Sequence, residues 1–282
     1  MQQTQATAYL ARIGAARPQR PDAAALRALH RAHLLAVPFE NLSISLGEPI
    51  SLEPGDLLRK VVTDRRGGFC YELNGAFALL LEALGFGVRR VAAAVFGTGN
   101  PGPPLDHLAL LVDVPGDCDP WLADVGFGSH SQYPLRFTSR QPQEDPAGTF
   151  LLADADGTGI DGAASSADTD VLLDGQPQYR VERHTRSLAD FVPMCWWQQT
   201  SPRSHFTQST ICSRLTPDGR VSLSGRTLIQ TRNGTRTEQE LPGDAAILAA
   251  YREHFGIALD RVPVAAPPAA PPAAAPAHPA PS

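Results

Sequence analysis

The sequence has few cysteines, and their arrangement suggests neither a zinc site nor a disulfide scaffold. Its 282 residues include four, Cys70, Cys118, Cys195 and Cys212, which lie far apart and form no C-x-x-C pair. Zinc ribbons need paired cysteines at short spacing, and small secreted domains are dense in cysteine. We therefore expect free thiols, no metal and a reducing compartment.

Long apolar runs and an excess of positive charge are also missing. No apolar stretch approaches the roughly 20 residues of a membrane span, and the first residues lack the basic and apolar regions of a signal peptide. The formal net charge of -5 gives no electrostatic footprint for nucleic acid or for an anionic membrane. These absences predict a cytoplasmic protein that binds neither nucleic acid nor membranes.

The most informative feature that is present is a glycine pair followed by a cysteine. In the run Arg66-Gly67-Gly68-Phe69-Cys70-Tyr71-Glu72, the cysteine falls at the start of a segment with helical apolar periodicity. Backbone N–H groups at a helix N-terminus stabilise negative charge, so a cysteine there suits the role of a thiolate nucleophile. The two glycines have no Cβ, which lets a substrate approach the sulfur closely.

Periodicity predicts a helical first part and a strand-rich second part. Helices are expected over 22–36, from Pro54, and from Cys70 to a stop at Gly85. Beyond residue 87, β-branched segments and turn residues predict short strands and two further helices. The predicted strands are 88–96, 107–114, 121–125, 149–153, 179–183, 209–215, 220–224, 227–231 and 235–241, and the helices are 187–199 and 244–255.

Two segments are predicted to lack regular structure. Residues 154–170 are rich in Gly, Ala, Ser and Asp, which is typical of a mobile surface loop. The last twenty residues, from Pro263, contain eight Pro and nine Ala and cannot build a core. We expect them to form an extended, disordered tail.

A cysteine nucleophile needs a base, and the base needs an orienting partner. His107 begins one predicted strand, and Asp124 ends the next one. A short turn between these strands makes them antiparallel neighbours, which places His107 beside Asp124. Taken singly, Cys70 is better interpreted as a buried thiol, His107 as a strand-edge histidine and Asp124 as a turn residue. Only the combination favours catalysis.

At these residues the chain resembles the arylamine N-acetyltransferase family, and most closely its bacterial branch. The family pattern Arg-Gly-Gly-x-Cys-x-Glu-x-Asn is matched over 66–74, and Pro-Phe-Glu-Asn-Leu is matched over 38–42. The histidine strand matches at Asp106-His107, and Asp-Val-Gly-Phe-Gly matches over 124–128. Segments 199–206 and 212–220 resemble the C-terminal region of these enzymes, so the resemblance covers roughly residues 5 to 258 in co-linear order.

The resemblance implies an α+β fold in a three-domain, cysteine-proteinase-like arrangement of helical bundle, β-barrel and α/β lid. The implied domains are 1–86, which carries the nucleophile, 87–186, which carries the histidine and aspartate, and 187–262, the lid. Residues 263–282 are the predicted tail. A monomer or weak homo-oligomer is expected.

The resemblance also implies a Cys-His-Asp triad and its chemistry. Cys70 accepts the acyl group, His107 is its base, and Asp124 orients His107. Phe127, within the matched glycine element, corresponds most closely to a substrate contact of the family. Val95 and Phe206 correspond less closely, because their surrounding motifs are looser. For each of the three, core packing is an equally good interpretation. Acetyl-CoA is then the co-substrate, and arylamines, arylhydrazines or N-hydroxyarylamines are the acceptors.

Because no glycine-rich phosphate loop is present, CoA is expected to use the segment 97–105 and the cleft beside the third domain.

Other functions remain open on the sequence. A thiol hydrolase uses the same three residue types in this order, and an amide synthase of similar fold uses another acyl donor. A binding protein with a vestigial triad is a non-enzymatic alternative. We interpret Glu40, Asn41, Glu72 and Asn74 as structural, because polar groups near buried helix ends usually satisfy backbone donors and no metal-ligand cluster surrounds these residues.

Overall fold

The structure, a computed structural model, describes residues 1–97, 99–155 and 168–265. In this part of the chain the α-helices are α1 (Gln3–Ile13), α2 (Ala23–Ala36), α3 (Leu42–Leu46), α4 (Pro54–Leu58), α5 (Cys70–Ala83), α6 (Leu188–Thr200), α7 (His205–Gln208) and α8 (Asp244–Ala250). Two π-helical turns, Arg59–Thr63 and Tyr251–Phe255, continue α4 and α8.

The strands fall into two antiparallel sheets. The first part of the chain contributes β1 (Phe39–Glu40). The middle contributes β2 (Gly87–Val95), β3 (His107–Asp113), β4 (Trp121–Ala123), β5 (Leu135–Arg136), β6 (Gln143–Asp145), β7 (Gly148–Asp154), β8 (Thr169–Leu173) and β9 (Gln176–Arg186). The last part contributes β10 (Ile211–Thr216), β11 (Gly219–Ser224), β12 (Thr227–Arg232) and β13 (Thr235–Glu240).

Helix ends form where the sequence predicts them, because their signals are local. The Asp22 side chain accepts a hydrogen bond from the Ala25 backbone N–H at 2.9 Å and caps α2. At the C-terminal end of α5, Gly85 adopts a φ of 92°, and the Phe86 N–H donates to the Leu81 carbonyl. A glycine in the left-handed region is what this type of helix ending requires. The predicted starts and stops of α2 and α5 are thus confirmed.

The middle of the chain forms an eight-stranded sheet in the order β5-β4-β3-β2-β9-β8-β7-β6. Its two edge strands are bridged by the side chain of Gln143, which accepts from Arg136 N–H at 2.7 Å and donates to the Arg136 carbonyl at 3.1 Å. This connection nearly closes the sheet into a barrel. The predicted antiparallel pairing of the histidine strand is confirmed, since Leu110 faces Ala123 and Val112 faces Trp121.

The last part of the chain forms a five-stranded sheet in the order β1-β10-β11-β12-β13. Its hairpins are tight, and Asn233 and Gly234 both have positive φ, as expected for the Asn-Gly turn between β12 and β13. The edge strand β1 comes from the first part of the chain, with Phe39 opposite Ser213 and Glu40 opposite Cys212. A strand from the helical part therefore belongs to the sheet of the lid.

Three buried apolar clusters correspond to these three parts. One joins α1, α2 and α5 to one face of β3, a second fills the barrel, and a third lies between the five-stranded sheet and α8. The α+β fold with helical bundle, barrel-like sheet and α/β lid is confirmed. No helix in the described part of the chain is long and apolar enough to cross a membrane.

The structure changes two expectations about irregular segments. Thr169 and Asp170, predicted as loop, belong to β8 and pair with Asp154 and Ala153, while 156–167 lie outside the described residues. Pro263, the first residue of the predicted tail, is buried, and 266–282 also lie outside. The short strands β1, β5, β6 and β8 had no sequence prediction, because strands of two to five residues carry little periodicity.

The turn before α5 is tightly packed at Gly67. A Cβ built on Gly67 overlaps the backbone carbonyl oxygen of Pro38, which cannot rotate away. We expect Gly67→Ala to lower the free energy of unfolding by about 3 kcal/mol. In the control Gly55→Ala, the added Cβ meets nothing within 4 Å, so stability should stay equal or rise by about 0.5 kcal/mol. Urea unfolding measures both, and equal stability of the two variants would contradict the packing argument.

Candidate active site

Cys70 occupies the first helical position of α5 and is 4% exposed. Glu72 caps the start of the helix, because its Oε2 accepts a hydrogen bond from the Phe69 backbone N–H at 3.2 Å. Its Oε1 accepts from Lys60 Nζ at 2.5 Å. The Glu72 carboxyl thereby uses one N–H of the first turn, and the helix N-terminus still directs positive charge toward the cysteine. Local sequence has placed the sulfur at the electropositive end of a buried helix.

The turn that carries Cys70 is anchored to β1. Gly68 accepts from the Glu40 backbone N–H at 2.9 Å, and Arg66 Nε donates to Glu40 Oε1 at 2.9 Å. Burial raises the pKa of the Glu40 carboxyl, but the positive charges of Lys60 and Arg66 outweigh it and lower that pKa. A buried carboxylate paired in this way is costly to disturb. It fixes the turn that carries Cys70 against the lid sheet.

His107 and Asp124 meet at the edge of the barrel. His107 Nε2 lies 2.7 Å from Asp124 Oδ2, and both side chains are almost fully buried. Because Asp124 binds Nε2, the ring nitrogen left for the cysteine is Nδ1. Burial lowers the pKa of His107, but the charges of Asp124 and Cys70, and hydrogen bonding to both, raise it to about 10. The three side chains thus form one connected group.

Asp124 is held by backbone and side-chain donors from three directions. Its Oδ1 accepts from Asn74 Nδ2 at 2.8 Å and from the Gly126 backbone N–H at 2.9 Å. Asn74 also donates to the Leu108 carbonyl at 2.6 Å and accepts from Val125 N–H at 2.9 Å. Burial opposes ionisation of Asp124, yet His107 and these hydrogen bonds bring its pKa well below its usual range. The residue is an ionised, immobile acceptor.

The tautomer of a neighbouring histidine follows from its contacts. His30 Nε2 accepts from the Asp124 backbone N–H at 3.2 Å, so Nδ1 carries the proton and donates to the Gln132 carbonyl at 3.0 Å. Burial lowers the pKa of His30. His30 is therefore neutral and supports the backbone of Asp124. It does not compete with His107 for the negative charge of the Asp124 carboxylate.

Cys70 and His107 open into a cavity of about 530 Å³ between the helical part, the barrel and the lid. Its walls are aromatic and aliphatic with few polar groups, as is typical of a small-molecule site. The lining residues are Phe39, Cys70, Val95, Pro103, Asp106, His107, Gly126, Phe127, Trp197, Gln198, His205, Phe206, Ser209, Ile211 and Ser224.

Five of the six predicted site residues line this cavity, and Asp124 stands behind His107. The Phe127 ring is T-shaped to the His107 ring with centroids 5.3 Å apart. The Phe206 ring is T-shaped to that of Phe69, 5.5 Å away, which places it over the turn of Cys70. The structure therefore brings together residues that are up to 136 positions apart in sequence, Cys70 and Phe206.

Several lining residues carried no sequence signal. Trp197 and Gln198 lie on α6, where a capping box predicted the helix but not the face it turns to the cavity. In the sequence, Phe39 stands out only as part of a family motif, and Asp106 only as the neighbour of His107. Alternation along the strands does not reveal these residues, because the site lies where three separate parts of the chain meet.

Asn41, which directly follows β1, is hydrogen bonded to the lid. Its Nδ2 donates to the carbonyls of Phe206 and Ser209 at 2.9 and 2.7 Å, and its Oδ1 accepts from Ile211 N–H at 2.8 Å. These bonds hold the backbone that carries Phe206. The structural interpretation of Glu40, Asn41, Glu72 and Asn74 is supported, with the addition that Asn74 also positions Asp124.

No group of three or more His, Cys, Asp or Glu side chains that could hold a metal ion occurs in the described ranges. All four cysteines are free thiols, and Cys118 is exposed while the others are buried.

Comparison with known proteins gives consistent matches. A family model described as N-acetyltransferase matches residues 22–264. The arylamine N-acetyltransferase of Escherichia coli K12 is 34% identical over 261 residues, which are 89% of this chain and 88% of that protein. The solved structure of the arylamine N-acetyltransferase from Salmonella typhimurium matches with a TM-score of 0.83 at 29% identity, covering 94% of this chain and 95% of that chain.

A second solved structure contains a ligand. The Mycobacterium marinum arylamine N-acetyltransferase in complex with CoA matches with a TM-score of 0.80 at 32% identity, covering 89% of this chain and 92% of that chain.

Proposed function

Because the chain belongs to the arylamine N-acetyltransferase family, we propose that it transfers an acetyl group from acetyl-CoA, through a thioester on Cys70, to the nitrogen of arylamines, arylhydrazines or N-hydroxyarylamines. The observation that carries this proposal is the contact between three groups. A cysteine at a helix N-terminus, a histidine and an ionised aspartate are connected at the wall of an aromatic cavity.

In the first half of the reaction, His107 holds Cys70 as a thiolate. The raised pKa of His107, to about 10, favours the imidazolium at neutral pH. The sulfur attacks the carbonyl carbon of the acetyl thioester, the bond from that carbon to the CoA sulfur breaks, and the leaving sulfur takes the proton of His107. The product is acetyl-Cys70 with a neutral His107.

In the second half, the neutral imidazole acts as the base. An aromatic amine is uncharged near neutral pH, so its nitrogen attacks the thioester carbon without first losing a proton. His107 Nδ1 takes the proton of the attacking nitrogen as the bond from carbon to the Cys70 sulfur breaks. The thiolate and imidazolium pair is restored, and the amide is released.

Asp124 keeps the His107 ring in the orientation that serves both halves. The Asp124 carboxylate accepts a hydrogen bond from His107 Nε2–H, which leaves Nδ1 directed to the sulfur. The backbone N–H of Cys70 at the start of α5 is our candidate donor for the oxyanion. Gly126 packs so closely that a Cβ on it would lie 2.8 Å from Cys70 Cα, and this close fit fixes the sulfur position.

The cavity walls suit a flat acceptor and a thin acyl arm. Phe39, Phe127, Trp197 and Phe206 supply aromatic surface for ring packing. Pro103, in the segment 97–105, is the part of the predicted CoA region that lines the cavity. We propose that the phosphates of CoA remain outside, since no Lys or Arg is among the residues that line the cavity.

The test follows the two half-reactions separately. The purified protein is incubated with acetyl-CoA, and intact mass is measured; we expect the mass of one acetyl group on Cys70, located by peptide mapping. Addition of an arylamine should remove this group and form the acetylated amine, with release of free CoA dependent on the amine. CoA release independent of the amine, together with cleavage of a peptide or amide, would instead indicate a thiol hydrolase. Acylation by a different thioester only would indicate an amide synthase.

The domain boundaries at residues 86, 186 and 262, the cytoplasmic location and the monomer or weak homo-oligomer remain predictions. The pairing of β1 with β10 suggests that the first and third of these units depend on each other for stability.

A further inference from the structure

The cavity contains one carboxyl group that the proposed mechanism does not use. Asp106 directly precedes His107 and lines the same cavity as Cys70. Its Oδ1 accepts from Gln198 Nε2 at 2.8 Å, and the Val95 backbone is a further hydrogen-bond partner. No Lys or Arg in the described part of the chain forms an ion pair with it. Burial raises the pKa of the Asp106 carboxyl, while the charge of His107 and the hydrogen bonds from Val95 and Gln198 oppose this rise. The carboxyl group is therefore hydrogen bonded without a Lys or Arg partner among the described residues.

Asp106 is held in place at some cost to the backbone. Leu105 has φ 62, a left-handed conformation that is unfavourable for leucine. Tyr71 Oη donates to the carbonyls of Leu105 and Asp106 at 2.8 and 3.0 Å and holds this turn. A Cβ on Gly102 would lie 2.9 Å from Asp106 Oδ2, so only glycine leaves room for the carboxyl there. Strain of this kind is retained where surrounding contacts determine the position of a functional group.

The partner of Asp106 connects it to the lid. Gln198 is 5% exposed, and its Oε1 accepts from Ser204 Oγ at 2.6 Å. Ser204 Oγ in turn accepts from the Phe206 backbone N–H at 3.2 Å. The chain of hydrogen bonds from Asp106 ends at Phe206, which lines the cavity. These bonds hold the Asp106 carboxylate at a fixed distance from the backbone that carries the Phe206 ring.

The charges in the lining are unbalanced. Besides Asp106, the titratable lining side chains are Cys70, His107 and His205, and the lining contains no Lys or Arg. In the acetyl-enzyme that the acceptor meets, Cys70 carries the acetyl group and His107 is neutral, while Asp124 behind His107 adds negative charge. An anionic group on an acceptor ring in this cavity meets a like charge in surroundings that screen it weakly.

We propose that Asp106 makes the enzyme select acceptor amines without a negative charge and reject aromatic amines that carry a carboxylate on the ring. This preference rests on the proposed function, because it concerns the acceptor of acetyl-Cys70. Asp106 is in this role a specificity-determining residue rather than part of the triad.

The test compares two acceptors of nearly equal shape, 4-aminobenzamide and 4-aminobenzoate. At about pH 8, ordinary carboxyl groups are ionised, so only the second acceptor carries a charge. The full-length wild-type protein should show a kcat/KM about tenfold higher for the benzamide. The benzamide has the less nucleophilic amine, so intrinsic reactivity opposes this result. Equal kcat/KM values for the two acceptors would overturn the proposal without any variant.

Asp106→Asn removes the charge and keeps an oxygen that can accept from Gln198. We expect the ratio of kcat/KM for benzoate to that for benzamide to rise about tenfold relative to wild type, or about 1.4 kcal/mol. Asp106→Ser, which removes the charge by a different side chain, should shift the ratio in the same direction. A ratio unchanged in both variants would assign the preference to another group and overturn the role of Asp106.

The matched control is Asp113→Asn, which makes the same change in net charge at the last residue of β3. Asp113 is 54% exposed at the other end of β3, where it pairs with Arg89, and an exposed pair contributes little to stability. In Asp113→Asn, the ratio of kcat/KM for benzoate to that for benzamide should equal that of wild type. Failure to form acetyl-Cys70 from acetyl-CoA would remove the proposed function, whereas formation of acetyl-Cys70 with no discrimination between the amines would overturn the acceptor preference alone.

Discussion

Replacing Cys70 by alanine is expected to abolish acetyl transfer, with a fall in kcat of about 10⁴-fold or more. The sulfur is the only atom of the site that would bond to the acetyl group, so no neighbouring side chain can substitute for it. The fold should survive, because Cys70 is a small buried residue and alanine occupies part of its volume. Steady-state kinetics with acetyl-CoA and an arylamine measure the fall, and circular dichroism checks the fold.

Cys70→Ser separates nucleophilicity from shape. Serine retains the position of the heteroatom, but the hydroxyl is far harder to ionise than a thiol, so acetyl transfer should be nearly as low as in Cys70→Ala. The matched control is Cys118→Ser, because Cys118 is an exposed free thiol that is not among the residues lining the cavity. It should keep the acetyl-enzyme and wild-type turnover. Substantial turnover by Cys70→Ala would refute the assignment of the nucleophile.

Asp124→Asn is expected to retain the fold while lowering kcat by about 10⁴-fold. The asparagine amide can replace Oδ1 as acceptor for Asn74 and Gly126. Its nitrogen then faces His107 Nε2, donates to it and leaves the proton on Nδ1, which is the nitrogen that must take protons. The loss should appear in both half-reactions, measured as the rate of acetyl-Cys70 formation and as the rate of its removal by amine.

The control for this variant is Asp119→Asn, in the exposed connection between β3 and β4. It changes net charge by the same amount and should leave both rates unchanged. A rate of acetyl-Cys70 formation in Asp124→Asn within tenfold of wild type would show that Asp124 does not set the tautomer of His107.

The same variant should change how stability depends on pH. The His107 pKa of about 10 lies above its ordinary value near 6.5. A raised folded-state pKa contributes stability that is fully present below about 6.5 and is lost as the pH rises toward 10. Because Asp124 is the main cause of the rise, the stability difference between wild type and Asp124→Asn should shrink from pH 7 to 10. Urea unfolding across this range measures it, and a constant difference would contradict the coupling.

Local signals account for the parts of the fold that were predicted correctly. Asp22 caps α2, Gly85 ends α5 and Asn233-Gly234 turns the last hairpin, because each acts through atoms a few residues away. The antiparallel pairing of β3 with β4 follows from a short connection. The sequence thus determined that Cys70 starts a helix and that His107 and Asp124 lie at adjacent ends of neighbouring strands, His107 at the start of β3 and Asp124 directly after β4.

Only the tertiary structure decided how these pieces combine. β1 pairs with β10 across more than 170 positions, Asn74 of α5 binds Asp124, and Gln198 of α6 binds Asp106. Periodicity and capping report which face of an element is buried, but they carry no information about the partner that buries it. The position of Cys70 at a helix start can therefore be predicted from the sequence. The acceptor cavity and the unneutralised carboxylate in its wall exist only where helices, barrel and lid meet.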